Sequence, residues 1–359
     1  ANLTGINVYL LIVAMGVIAI IYSYTGGLKS VLWTDFIQGC VLIAGIVFSL
    51  IFLISTINGG FGAIMSELTE GGKFLSSQEP IFNANIFKTS VFLLIVGGGL
   101  NTFSSYISSQ DIVQRFTTTT DIKQLKKMTY GNLVLSLFVA TVFYLIGTAL
   151  YVFYNQNPQL LQTAQQDQIF ASYIAFQLPV GITGIVLAAI YAAAQSTLST
   201  GLNSVATSWT LDIQNFITKD MSMEKQTKVA QYISLGVGIA SIIMAVILAN
   251  GGVNSAYEWF NGFMGLVLGV LAGIFVLGIF FKKATKAGAY AGFIASAIAV
   301  VVCKYGGFDV SIWSYSIISI GVSVIVGMIV SLMTQSQLVD KKTLNEATVY
   351  YNESEIANS

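Results

Sequence analysis

Apolar residues run through this chain in long unbroken stretches. They show neither the two-residue period of a half-buried strand nor the one-sided stripe of a surface helix; "VYLLIVAMGVIAII" and "VLIAGIVFSLIFLI" are examples. About 20 apolar residues carry a helix across the hydrocarbon core of a bilayer, so each stretch predicts a membrane helix. Nine are read, at 6–25, 31–57, 86–113, 126–153, 180–213, 226–249, 255–281, 285–304 and 311–334. Glycine and polar clusters punctuate them: "YTGGLKS" after the first, "NGGFG" after the second and "QNPQ" after the fourth. The pattern predicts an all-α polytopic membrane protein. Residues 1–334 read as a single transmembrane domain, and the polar residues 335–359 as a loosely ordered tail.

Composition supports this class and removes others. Of 359 residues, 55% are hydrophobic and 9% charged, against about 25% charged in ordinary soluble domains. A formal net charge of zero offers no basis for nucleic-acid binding or a polybasic lipid-binding tail. Histidine is absent, which removes the usual zinc ligand and neutral-pH proton shuttle. With no Cys pair and no paired carboxylates on one helix face, an enzyme is disfavoured. Cys40 and Cys303 each lie in an apolar span, where packing is the simplest role.

The charges that remain are distributed unevenly, and the side richer in Lys and Arg faces the cytoplasm. Lys29 follows span one; Arg115, Lys123, Lys126 and Lys127 follow span three. Lys219, Lys225 and Lys228 follow span five, Lys282, Lys283 and Lys286 follow span seven, and Lys341 and Lys342 lie in the tail. Residues 154–179 and 250–254 contain neither residue type. This places Ala1 outside and Ser359 in the cytoplasm of a multi-pass plasma (inner) membrane protein. An external start, an odd number of spans and a first residue that is not Met together lead us to expect a helical segment upstream.

Polar groups at membrane depth are costly and tend to face a bundle interior or an aqueous path. Asp35, in "VLWTDFIQGCVLIAG", lies about one turn into span two and reads either as an interfacial carboxylate or as a functional one. Asp111 and Glu258 lie near span ends, where structural roles are expected. In "AAIYAAAQSTLSTGLNS", Ala193, Ser196, Thr197 and Thr200 recur at i, i+3, i+4 and i+7, hence on one helix face, with Ser199 at its border. Hydroxyls and carbonyls in such a cluster suit a hard cation such as sodium. They equally suit close helix packing, with each hydroxyl bonded to a backbone carbonyl. Span three crosses a glycine triplet into a polar cluster, "VGGGLNTFSSYISSQ". That predicts a helix broken at the glycines, with Asn101, Ser104, Ser105, Tyr106, Ser109 and Gln110 facing a solute, or else a kinked helix packed through them.

Together "YTGGLKSVLWTDFIQ", "SSQDIVQRF" and "LAAIYAAAQSTLSTGLNSVATSWTLDI" resemble the sodium:solute symporter family, in order and separation as well as in residues. That group includes bacterial sodium/galactose, sodium/proline and sodium/sialic acid symporters, and "YVFYNQNPQLL" looks closest to the sialic acid branch. The resemblance implies a LeuT-type inverted repeat of five helices. Residues 1–57 would end the first repeat, 86–281 form the second, and 285–334 supply peripheral helices. The first core helices would precede Ala1, with part of each binding site. The shared sodium site of the family maps here onto the carbonyl of Ala193 and the hydroxyls of Ser196 and Thr197. A second site of the sialic acid branch maps onto Ser196, Ser199, Thr200 and Asp35.

The implied activity is import of a small organic solute by alternating access, driven by one or two co-transported sodium ions. Sialic acid (N-acetylneuraminate) is the best expectation, with another sugar, a proline-like amino acid or a carboxylate as alternatives. The expected partners are that solute, an acidic sugar, together with sodium and the lipid bilayer; nucleic acid is not expected. A channel would need a ring of charge or a carbonyl filter, and none is evident. A membrane sensor would need a signalling domain larger than the tail.

Overall fold

The computed structural model describes residues 5–71, 80–163, 165–218, 221–250 and 256–334, without the side chains of 26–28, 167, 215 and 256–259. All elements among the described residues are helical. They are α1 Val8–Thr56, α2 Gly60–Thr69, α3 Val91–Ser108, α4 Gln110–Phe116, α5 Ile122–Gln156, α6 Gln166–Phe176 and α7 Val180–Ser208. There follow α8 Asn215–Ile217, α9 Met223–Ala249, α10 Ala256–Phe280, α11 Lys286–Tyr305 and α12 Tyr315–Met333. Short 3-10 turns occur at Pro158–Leu160 and Ile312–Ser314, and a π turn at Trp209–Gln214 extends α7. Nine stretches among the described residues are long and apolar enough to cross a membrane, and each overlaps one predicted span.

The chain forms two compact units, Ala1–Ser77 with Gln114–Asn254, and Gln78–Val113 with Ser255–Ser359. In the first unit, α1 comprises two apolar arms, Val8–Thr25 and Lys29–Thr56, divided at "YTGGLKS" as expected. The direction of the chain reverses there. Asp35 meets Thr200 and Gly45 meets Ala189, so this arm runs antiparallel to α7. A straight helix would then carry Tyr22 well beyond the C-terminal end of α7. Instead its hydroxyl donates to the Gln195 carbonyl, and Ser23 and Gly16 pair with Ser234 and Ile242 of α9. The turn must fall between Tyr22 and Asp35, the interval that holds Gly26 and Gly27. Gly45 lets the second arm approach closely, since a Cβ there would stand 2.7 Å from the Ala189 methyl.

Two helices of this unit lie in stretches read as loops. Ile64 of α2 and Tyr173 and Ile174 of α6 are fully buried with Leu53, Ile146 and Phe153. Phe153 and Tyr173 meet edge to face with ring centroids 5.2 Å apart, a favourable aromatic geometry. The Gln156 amide bonds the backbone of Asn58 in both directions, at 2.9 and 3.0 Å. These contacts join the end of α5 to the turn after α1. Cys40, expected to pack, is exposed on α1.

The second unit overturns the break predicted at the glycine triplet. Helix α3 continues through Gly97, Gly98 and Gly99 and ends at Ser109, whose backbone is extended at φ −88°, ψ 117°. A side chain on Gly97 would collide with the Trp313 carbonyl. The glycine therefore serves close helix approach, and intrahelical bonds keep the backbone intact. Elsewhere in this unit α10, α11 and α12 interlock through a seam of glycines and buried serines. Gly269 faces Ser319, Gly273 and Gly292 face Ser323, and Gly288 faces Ser331. Ser319, Ser323 and Ser331 are fully buried.

Candidate functional site

The hydroxyl-rich stretch lies in the second half of α7, where alanines on either side keep the helix surface thin. Ser196 Oγ and Thr197 Oγ1 both donate to the Ala193 carbonyl, at 3.0 and 3.1 Å. Ser199, fully buried, donates to the Ser196 carbonyl at 3.0 Å. Such bonds occupy each hydroxyl proton and leave the oxygen lone pairs to accept. They orient a set of oxygens of the kind that hard cations take as ligands. Thr197 is exposed, whereas Ser199 and Thr200 are buried.

The neighbouring arm of α1 brings a carboxylate to this face. Thr200 Oγ1 donates to Asp35 Oδ2 at 2.9 Å, although the two residues lie 165 positions apart. Asp35 is thus held against α7, with its side chain 14% exposed. Arg115 of α4 completes the arrangement. Its Nη2 stands 2.6 Å from Asp35 Oδ2 and 3.0 Å from Thr200 Oγ1. The preceding residue, Gln114, donates to Thr207 Oγ1 at 3.2 Å, two turns further along α7. Two buried acceptors, Asp35 Oδ1 and Gln38 Oε1, have no donor among the described residues.

The structure therefore brings together Asp35 and Thr200, and separately gathers the Ala193 carbonyl with Ser196 and Thr197. The hydroxyls of Ser196 and Ser199 turn back onto their own helix. Arg115, Gln38 and Tyr22 were not anticipated here. For Arg115 the available signal was its place in "SSQDIVQRF", a stretch that carries the family resemblance, although the residue itself was read only as a loop charge.

The residues expected to face a solute all lie in the other unit. Asn101 Nδ2 donates to Asn261 at 3.3 Å, and Asn101 Oδ1 accepts from Ser316 at 3.4 Å, tying α3 to α10 and α12. Ser105 donates to the Asn101 carbonyl at 3.2 Å, and Ser104 is buried against the carbonyl of Leu100. Tyr106 is half-buried on the last turn of α3, whereas Ser109 and Gln110 lie at the helix break, where Ser109 donates to Asp111 in the first turn of α4. An acid there suits the positive end of a helix, in keeping with a structural role for Asp111. The side chain of Glu258 lies outside the described residues.

The model of the sodium:solute symporter family matches residues 1–296. The chain belongs to that family. It is 34% identical over 327 residues to the sodium/sialic acid symporter SiaT of Proteus mirabilis, covering 90% of this chain and 65% of that protein. It is 30% identical over 334 residues to the sodium/sialic acid symporter NanT of Aliivibrio fischeri, covering 93% and 66%. This family member therefore spans just under two thirds of the length of those relatives. Its structure superposes on that of a substrate-bound, outward-open Na+-coupled sialic acid symporter with a TM-score of 0.84, at 33% identity, covering 92% of this chain and 68% of the other. The fold is the LeuT-type helical bundle.

Proposed function

We propose that this chain is the ion-binding part of a secondary active transporter that imports a small organic solute with sodium. Transport rather than covalent catalysis is the activity. The observation that carries the reading is the convergence on one face of α7 of a backbone carbonyl, several oriented hydroxyls and a buried carboxylate. Ala193, Ser196 and Thr197 supply one sodium site; Ser196, Ser199, Thr200 and Asp35 supply the second. Both ions are cargo. Each charge entering down a 100 mV potential releases about 2.3 kcal/mol, so two ions support steep accumulation.

Sialic acid is the solute we assign, because the two bacterial relatives that share about a third of the sequence are named for it. Asn101, Ser105, Tyr106, Ser109 and Gln110 are the proposed solute contacts on this chain. Residues 1–57 close the first repeat, 86–281 form the second and 285–334 are peripheral. The lysine-rich loops and the C-terminal tail face the cytoplasm, and the N-terminal end of the chain faces outward.

Uptake of labelled N-acetylneuraminate by proteoliposomes containing the full-length protein tests this. Accumulation is expected with an inward sodium gradient and not when choline replaces sodium. Equal uptake in both media would remove sodium coupling. Sodium-driven uptake of proline or galactose without N-acetylneuraminate would replace the solute.

A further inference from the structure

Arg115 stands where the proposed second sodium ion would contact the protein. We propose that its guanidinium is a tethered cation that exchanges with sodium at Asp35 and Thr200, holding these oxygens when no ion is bound and leaving when one arrives. The inference rests on the reading of Asp35 as a sodium ligand and adds a means of regulating that site.

Three observations support it. First, a single nitrogen, Nη2, bridges the Asp35 carboxylate and the Thr200 hydroxyl at 2.6 and 3.0 Å. One positive centre is thereby shared between two of the oxygens proposed for the ion. Second, the contact is not the two-nitrogen fork that makes arginine–carboxylate pairs strong. Asp35 Oδ1 is left buried without a donor, as is Gln38 Oε1 one turn further along α1. These acceptors are available to a cation once the arginine has moved. Third, the partners differ in exposure: the Asp35 side chain is 14% exposed and that of Arg115 is 42% exposed. The carboxylate is held in the interior, while the arginine side chain is less enclosed and has room to withdraw.

Charge makes the two occupants mutually exclusive. Asp35 balances one cation, and a second beside it in a largely desolvated site is opposed by strong like-charge repulsion. Arginine remains protonated throughout, so it must vacate by moving rather than by losing its proton. Arg115 is a positioning residue in this scheme. It sets the sodium concentration at which the site fills and keeps the buried carboxylate paired when the ion departs.

The chain contains no other arginine, which permits a direct test without mutation. Full-length protein is treated with the arginine reagent phenylglyoxal in sodium chloride or choline chloride, and modification of Arg115 is followed by mass spectrometry of its peptide. Sodium is expected to accelerate modification; equal or slower modification in sodium overturns the proposal. In parallel, equilibrium binding of radioactive sodium is measured for Arg115→Gln and Asp35→Asn. Arg115→Gln is expected to lower the half-saturating sodium concentration about tenfold, and an unchanged or raised value overturns the exchange. If Asp35→Asn binds sodium as the unmodified protein does, the reading of the site itself falls. Weaker binding in Asp35→Asn with sodium-insensitive labelling of Arg115 removes only the exchange.

Discussion

Along α12, Ser319, Ser323 and Ser331 lie fully buried opposite glycines of α10 and α11, whereas along α7 the hydroxyls from Ser196 to Thr200 lie beside alanines and meet a carboxylate. Both stretches look alike in one respect: serines recur at helical spacing along an apolar helix. In the α12 seam the hydroxyls serve contact between helices. Ser296 donates across the seam to the Ser319 carbonyl at 2.8 Å, Ser319 donates to its own helix, and Thr285 N–H bonds Ser331. None of these partners is a carboxylate. On α7 two hydroxyls share one carbonyl, and Thr200 reaches Asp35 on another helix. Serine among small residues therefore specifies close approach; the carboxylate brought by a distant segment marks the stretch that suits an ion.

That contrast can be broken by substitution. The largest effect is expected from Asp35→Asn, which keeps the shape and removes the charge. The half-saturating sodium concentration for uptake should rise about tenfold or more, while the amide oxygen can still accept from Thr200 and Arg115 and so keep the site's shape. Next is Gly288→Leu in the seam, where even a Cβ would lie 2.6 Å from the Gly327 carbonyl. Overpacking of this kind costs about 1–3 kcal/mol. Thermal unfolding should show a clear loss, while the folded protein keeps its sodium dependence. The smallest effect is expected from Ser319→Ala, which removes one intrahelical hydroxyl bond of about 1 kcal/mol. A change in sodium dependence here would erase the distinction between the two regions.

How much of this was legible in the sequence follows from the range of each interaction. The nine spans were readable because apolar length is a local property. The reversal within α1 was signalled by Gly26 and Gly27. The glycine triplet, by contrast, misled. A glycine can mark a weak point or a contact point, and only the position of Trp313, far along the chain, shows that Gly97 is the second. Helices α2 and α6 are short and mixed in polarity, and their burial depends on α5. At the candidate site, the face of α7 was evident from the 3.6-residue period, and family resemblance pointed to Asp35. The role of Arg115 depends on a contact with Asp35 across 80 positions, which no spacing rule contains.

The account turns on whether the α7 hydroxyls bind an ion. Equilibrium binding of radioactive sodium to the full-length protein, compared between Ser196→Ala and Ser319→Ala, tests this most directly. The account predicts that Ser196→Ala weakens binding several-fold while its melting temperature stays close to that of the parent, and that Ser319→Ala binds as the parent does. Equal binding in both variants and the parent would contradict it.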